Sequence, residues 1–318
     1  MDCFVFESNV TNVYYNLALE HAMAESISGD SAILFLWQNA DTVVIGKHQN
    51  PYKECNLAAM RKDNISLARR PSGGGAVFHD KANLNFSFIY TKKDYELARN
   101  YKIIVNALAS LGINTEISGR NDILCKGKKF SGNAFYTVNQ AWVHHGTIMV
   151  GVDTSAIAAY LNVSKLKLAS KGVASVSSRV ANLSSILPNL TVDKVKEAIK
   201  AAFLACHNQE KALEPTIDTA RVQAIAHSIE QPCYLMGAKY NFEQQATFRF
   251  PFGEVALTIN EDNRIEIYSD FLNIDIISYA KERLAKKVPL ELKEEFSIEE
   301  REVIEKITEL AKELKYGV

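Results

Sequence analysis

This 318-residue sequence lacks the features that mark several large classes of protein. No apolar run approaches the ~18 residues that a membrane-crossing helix needs, so no membrane association is expected. No charge sign is in excess: 36 Lys and Arg stand against 37 Asp and Glu, a formal net charge of −1. A nucleic-acid binder would show a basic footprint, and nucleic acid is set aside as a partner. The five cysteines (Cys3, Cys55, Cys125, Cys206, Cys233) are scattered, with no C-x-x-C pair. That excludes the usual zinc-ligand pattern, and the odd count suits reduced thiols. The opening Met1-Asp2-Cys3-Phe4-Val5-Phe6-Glu7 lacks the charged and apolar regions of a signal peptide, so a cytoplasmic location is expected. Internal repeats and low-complexity tracts are missing too.

What is present is an ordinary globular composition, 47% hydrophobic and 23% charged, long enough for a large domain and a small one. Asn12 is placed to cap a helix running to Ala24, with Leu17 and Ala18 on one face and Glu20 and His21 on another. Strands are expected at 32–37, 42–45, 65–69, 76–78, 84–90, 113–117, 123–125, 128–136 and 141–150. Helices are expected near 54–61 and over 95–111, 155–161 and 193–212. A change of character near 231–245 precedes three further strands, 246–250, 254–259 and 265–268, and two closing helices, 274–286 and 298–314. Strands gathered before helices give an α+β unit, and we place a domain boundary at 245: residues 1–245, then 246–318.

The most informative run is Arg69-Arg70-Pro71-Ser72-Gly73-Gly74-Gly75-Ala76-Val77-Phe78-His79-Asp80. Consecutive glycines let main-chain N–H groups approach a bound anion. Arg presents a planar fork matched to carboxylate or phosphate oxygens. The run is neither a P-loop nor a G-x-G-x-x-G fingerprint, because the spacing and the Gly-Lys-Ser/Thr ending are absent. A bare triple glycine is more often structural; Arg70, Ser72, His79 and Asp80 beside it point to a ligand loop.

A second stretch, Asn121 to Ala134, contains a Lys126-Gly127-Lys128 turn, after which alternation sets Lys129 and Ser131 on one face and Phe130 on the other. A solvated basic turn is the plain reading. Against it, Gly132 follows at once, and glycine inside a strand often marks a ligand's close approach. Asn121 and Asp122, opposite, could hold a metal or order the lysine. In Trp142-Val143-His144-His145-Gly146-Thr147 the adjacent histidines face opposite ways, so they cannot share one metal. His145 is the candidate for the site, with a hydrogen-bonded strand histidine as the other reading.

Taken together, R-R-x-S-G-G-G-A-V-F-H-D, then the Asn121–Ala134 pattern around Lys129, then His145-Gly146-Thr147, closely resembles the lipoate–protein ligases. Trp37-Gln38-Asn39, Val43-Val44-Ile45-Gly46, Gln49-Asn50-Pro51 and the stretch from Lys171-Gly172-Val173-Ala174-Ser175-Val176 to Leu183 match as well. The resemblance is dense over the first ~190 residues. It departs in three places: Ser177 stands where the family usually has Arg, Tyr234 to Tyr240 replaces a W-x-x-G-x-x-P motif, and Cys125 lies beside the lysine hairpin.

The resemblance implies a biotin-ligase-like catalytic domain with mixed and antiparallel sheets flanked by helices, plus a small α+β accessory domain. It implies lipoate activation with ATP, accompanied by Mg2+, to lipoyl-adenylate, then transfer to a lysine of an acceptor. Acceptors would be lipoyl domains of 2-oxoacid dehydrogenase acyltransferase subunits or the glycine-cleavage H protein, and the enzyme would be a monomer. Arg70, Gly75, Ala76, Val77, Phe78 and Lys129 would meet ATP. Lipoate would meet Lys129, Trp37, Arg70, Ser72, Gly74, His79 and His145, with Val44 and Phe78 as wall candidates. Lys171, Gly172, Val173, Ser175 and Arg179 would fold over the adenylate, and Lys129 would be catalytic. No metal ligand set is assigned. The alternatives are a lipoyl or octanoyl transferase, using a preformed adenylate or a carrier, and a non-catalytic sensor. Related octanoyltransferases use a cysteine, and none lies between Cys125 and Cys206.

Overall fold

Strand β6 (Asn83–Thr91) is buried at all nine of its residues, as a strand covered on both faces must be. It is central to a seven-stranded sheet. With β1 (Asp2–Glu7), β2 (Ser31–Trp37), β7 (Glu116–Ser118), β8 (Asp122–Cys125), β9 (Lys128–Val138) and β10 (Ala141–Met149), the order is β1-β2-β6-β10-β9-β8-β7. Only β1 and β2 pair in parallel; the other pairs are antiparallel. This computed structural model describes residues 1–162, 180–237, 245–260, 262 and 264–314.

The period-two alternation of β2 and β6 feeds two cores. Leu34, Leu36, Phe86, Phe88 and Tyr90 pack with the helices Leu97–Ser110 and Val192–Cys206. Ile33, Phe35, Trp37 and Ile89 pack with the helices Val13–Ser26 and Thr219–Glu230. The Asn12 side chain accepts from Tyr15 N and starts the Val13–Ser26 helix as expected.

A smaller sheet carries the glycine run. Strand β3 (Thr42–Ile45) lies between β4 (Ser66–Arg69), parallel, and β5 (Val77–His79), antiparallel. The run therefore links two strands flanking a third. Beyond it, β11 (Gln245–Phe250), β12 (Gly253–Ile259) and β13 (Ile265–Ser269) form an antiparallel sheet. Helices Ile274–Ala285 and Ile298–Glu313 pack on it around their own apolar cluster. A capping box between Ser297 and Glu300 opens the last helix.

The α+β expectation holds, with sheets flanked by helices. Several boundaries move. The helix expected from residue 95 starts at Leu97, the strand expected at 113–117 is Glu116–Ser118, and the helix expected to reach 212 ends at Cys206. Strand β1 and the Thr219–Glu230 helix were not expected at all.

Candidate active site

A cavity of about 530 Å³ opens between the glycine run, β9, β10 and the C-terminal unit. Its buried lining joins the apolar Leu17, Trp37 and Val44 to the polar His79, Asn83, Asn85 and His145, with Val77 also on the wall. Trp37 is 3% exposed, and its Nε1–H donates to Ser87 Oγ at 3.1 Å. Lys129 Nζ lies 2.6 Å from Asp122 Oδ1, both side chains partly exposed. The lysine gains its place from a bulge: Leu124 pairs with Lys129 and Ile123 with Ser131, leaving Phe130 as the extra residue, buried in the core. Gly132 makes room for the lysine itself, since a Cβ there would come within 3.0 Å of Nζ. The approach expected at that glycine was a ligand's; the atoms nearest a Cβ there belong to the Lys129 side chain.

Asp122 orders Lys129, the second of the two roles open to it. Asn121 is bound into the hairpin, donating to Asn133 O at 2.8 Å and accepting from Asn133 N at 2.9 Å. Among the described residues no group of three or more His, Cys, Asp or Glu side chains could hold a metal ion.

The glycine run is held from behind. Arg70 is buried, its Nε donating to Ser72 Oγ (3.1 Å), Nη2 to Gly73 O (2.6 Å) and Gly75 O (2.8 Å), and Nη1 to Val44 O (3.2 Å). Burial lowers its pKa to about 10, against the opposing influence of Glu20. The guanidinium thus fastens the loop first, while still bordering the cavity. Ser72 is fully buried and is not among the residues that line the cavity; Gly74, Gly75, Ala76, Val77, Phe78 and His79 are. Arg69 is equally committed, donating to the carbonyls of Gly46, Lys47, Gln49, Tyr234 and Leu235. At the Tyr234 departure the contact is made through backbone carbonyls, which any side chain there would supply.

The two histidines of β10 separate. His145 borders the cavity, its Nε2 2.6 Å from Ser72 Oγ. His144 lies among Phe86, Phe88, Tyr101 and Phe135, and burial lowers its pKa to about 3. Gly146 serves packing, because a Cβ would strike the Phe86 ring and Asn133 Oδ1.

Residues in and behind the cavity wall escaped the sequence reading, among them Asn83 and Asn85. Glu20 is fully buried behind the wall, and accepts from Ser87 Oγ (2.5 Å), Tyr136 OH (2.9 Å) and His145 Nδ1 (3.0 Å). Expected on different faces, Leu17 and Glu20 are both buried, and their three-residue spacing, which puts them on one side of the helix, was the available signal. The C-terminal unit supplies Arg249, Phe252, Asp270 and Leu272 to the wall. Arg120, stacked 4.9 Å from the Phe252 ring and paired with Glu299, spans the gap.

Lys171, Gly172, Val173, Ser175 and Arg179, with the Ser177 departure, lie outside the described residues. On either side of that stretch, Asn162 and Val180 both line the cavity. Val180 forms a bridge with Lys129, and Ala181 N donates to Lys129 O. Cys125 is a buried core residue whose thiol pKa is raised by burial, and no cysteine lines the cavity among the described residues.

Residues 12–204 match the model of the lipoyl protein ligase A/B catalytic domain. The chain belongs to this family. The structure of LipL1 from P. falciparum in complex with lipoate is similar at TM-score 0.81 and 27% identity, over 96% of this chain and 99% of that one. A bipartite lipoate protein ligase from Thermoplasma acidophilum, solved with its E2 lipoyl domain, matches at TM-score 0.64 and 28% identity, over 76% of this chain and 98% of that one. Lipoate-protein ligase A bound with ATP matches at 0.62 and 27%, over 74% and 98%. The family and these likenesses make this an enzyme of lipoate attachment. Among the described residues no helix is long and apolar enough to cross a membrane.

Proposed function

We propose that this chain joins lipoate to ATP as lipoyl-adenylate and then passes the lipoyl group to a lysine of a lipoyl domain. The carrying observation is the partly exposed Lys129–Asp122 pair in a cavity that also has the buried apolar side chains of Leu17, Trp37 and Val44 on its wall. A lipoate tail buried against Leu17, Trp37, Val44 and Val77 would gain about 4–6 kcal/mol at ~0.8 per methylene. Its carboxylate would then lie beside Lys129.

In the first step a carboxylate oxygen forms a bond to the α-phosphorus and pyrophosphate leaves. In the second the acceptor amine attacks the carbonyl carbon and AMP leaves. Both transition states gather negative charge next to the carboxyl group, which the Lys129 ammonium offsets without having to reorganise. Asp122 keeps that ammonium aimed. Gly75 to Phe78 would border the nucleotide, and Arg70 would hold their backbone in shape. The stretch 171–179 would cover the adenylate, entering and leaving at the cavity through Asn162 and Val180. Mg2+ fits here chiefly through the nucleotide's own phosphate oxygens and water, given the sparse carboxylates.

ATP-bound and lipoate-bound relatives support the substrates, and a relative solved with its E2 lipoyl domain supports that class of acceptor. The glycine-cleavage H protein is a second acceptor under this reading, and the enzyme acts as a monomer in the cytoplasm. The unit from 246 onward is read as an accessory domain that closes one wall of the cavity. The absence of a cysteine from that wall, among the described residues, favours adenylation over a thioester route. Pyrophosphate release from ATP and free lipoate, with no acceptor, tests the proposal. Transfer from supplied lipoyl-adenylate without any such release would replace it by a transferase.

A further inference from the structure

The buried lining of the cavity carries one polar atom whose state can be deduced from its neighbours. Asn16 Nδ2 donates to the backbone oxygens of Val10 (2.9 Å) and Gln38 (3.0 Å), which fixes how that amide is turned. The same nitrogen lies 3.2 Å from Asn39 Oδ1, so Asn39 presents its oxygen to Asn16 and its Nδ2 elsewhere. Asn39 Nδ2 is 3.1 Å from His79 Nδ1. An amide nitrogen is a donor only, so His79 Nδ1 accepts. A neutral imidazole that accepts at Nδ1 carries its hydrogen on Nε2. The ring is neutral: burial, Arg70 and His145 together lower its pKa to about 3.

His79 Nε2 is buried and has no hydrogen-bond partner, alone in this among the described residues that line the cavity. The ring is 3% exposed and meets Trp37 edge-on, centroids 6.4 Å apart at 77°. Trp37 is itself pinned through Ser87, which donates to Glu20. The N–H is therefore fixed in direction and kept from bulk water, on a wall it shares with Leu17, Trp37 and Val44.

We propose that His79 Nε2–H reads the far end of the acyl chain, favouring a tail that carries an acceptor, the dithiolane sulfur of lipoate, over an all-carbon tail such as octanoate. This rests on the ligase reading above. A hydrocarbon tail would bury the N–H without a partner, while a sulfur meets it. Sites built around a buried polar group reject the analogue that leaves it unpaired. Sulfur is a weak acceptor, so the effect sits at the lower end of what an unmet buried donor costs, about five- to tenfold. Asn16 and Asn39 act as positioning residues, since they set the tautomer without touching the chain.

The experiment compares lipoate and octanoate in kcat/KM for pyrophosphate release, in wild type, His79→Phe and His79→Gln. Wild type is expected to prefer lipoate about five- to tenfold, mostly in KM. His79→Phe keeps a ring against Trp37 but has no N–H, and should bring the ratio of the two acids close to one, whatever the change common to both. His79→Gln retains a donor and should restore part of the preference. An unchanged ratio in folded His79→Phe overturns the proposal.

Should His79→Phe fail to fold, 15N spectra of wild type decide. The Nε2–H tautomer should be present in the free protein, and its Nε2 resonance should shift with lipoate but not with octanoate. The opposite tautomer, or equal shifts with both acids, overturns the proposal. Failure to form either adenylate would count against the ligase reading alone, because the spectra require only binding of the acids.

Discussion

His145 Nδ1 stands 3.0 Å from both carboxylate oxygens of Glu20. On its other side the ring meets Ser72, which accepts from Arg70. Arginine offers only donors and a carboxylate only acceptors, so the chain runs Arg70 to Ser72 to His145 to Glu20. Serine, histidine and carboxylate in that order resemble a hydrolase relay. Here the serine is buried away from the cavity and already engaged by a guanidinium. The chain instead joins two buried charges of opposite sign and holds the glycine run between them.

Glu20→Gln should therefore destabilise the fold by about 3 kcal/mol at neutral pH, the low end for breaking a buried charge pair. Burial alone would raise the Glu20 pKa, but His145, with help from Ser87 and Tyr136, lowers it below its ordinary value. A depressed carboxylate stabilises the fold above its unfolded pKa, about 4.3, and loses that contribution as pH falls through the folded value. Urea midpoints of wild type and variant should stay apart from neutral pH down to that range and converge below it. A constant gap down to strong acid would contradict this.

Arg70→Ala should cost about 3–5 kcal/mol, because it strands the carbonyls of Gly73, Gly75 and Val44 and leaves Glu20 uncompensated. Substrate constants alone should not carry the effect: the melting temperature should fall as well. A variant with unchanged melting behaviour and a raised KM would make Arg70 a ligand-contacting residue only.

Lys129→Ala should slow adenylation and transfer by about 10²–10³ each, as removal of one preorganised donor does at other acyl centres. Asp122→Asn leaves the amine but loosens its aim, and a smaller loss in both steps is expected. Parallel assays of pyrophosphate release and of transfer from lipoyl-adenylate, on protein of native melting temperature, measure this. A normal rate in either step for Lys129→Ala would remove its assignment there.

Gly73→Ala tests the contact with the C-terminal unit. A Cβ at Gly73 would overlap the Phe271 carbonyl oxygen and approach Leu272 O to 2.8 Å. Gly74 N donates to that same Phe271 oxygen at 3.0 Å. The substitution should speed hydrogen exchange at the Gly74 amide by an order of magnitude or more while β6 amides stay protected. Unchanged exchange at Gly74 would show the two segments hold together by other contacts.

The sequence was most readable where local rules suffice. The Asn12 cap, the alternation of β2 and β6, the Lys126–Lys128 turn and the glycine run each declare themselves within a few residues. Glu20 does not, since its partners His145, Ser87 and Tyr136 lie 125, 67 and 116 residues away. Without them a glutamate on a helix reads as surface. Arg70 was legible as a buried-ligand cation but not as a loop fastener, because its acceptors are backbone carbonyls that no side-chain pattern announces. The helix Thr219–Glu230, for which no element was expected, had its signal in Val222, Ile225 and Ile229, three and four apart, diluted by the polar residues between them. Arg249 and Phe252 reach the cavity only because one sheet docks against another.

The hydrogen bond from Gly74 to Phe271 has a thermodynamic consequence. One N–H serves one good acceptor at a time, so an anion that claims the Gly74 amide competes with the C-terminal unit for it. Occupancy of the loop and docking of that unit are then two ligands of a single donor. By linkage, the factor by which one weakens the other is the same in both directions. Under the proposed reading, a partner that grips the C-terminal unit would thereby change the affinity of the glycine run for the nucleotide, without touching the cavity.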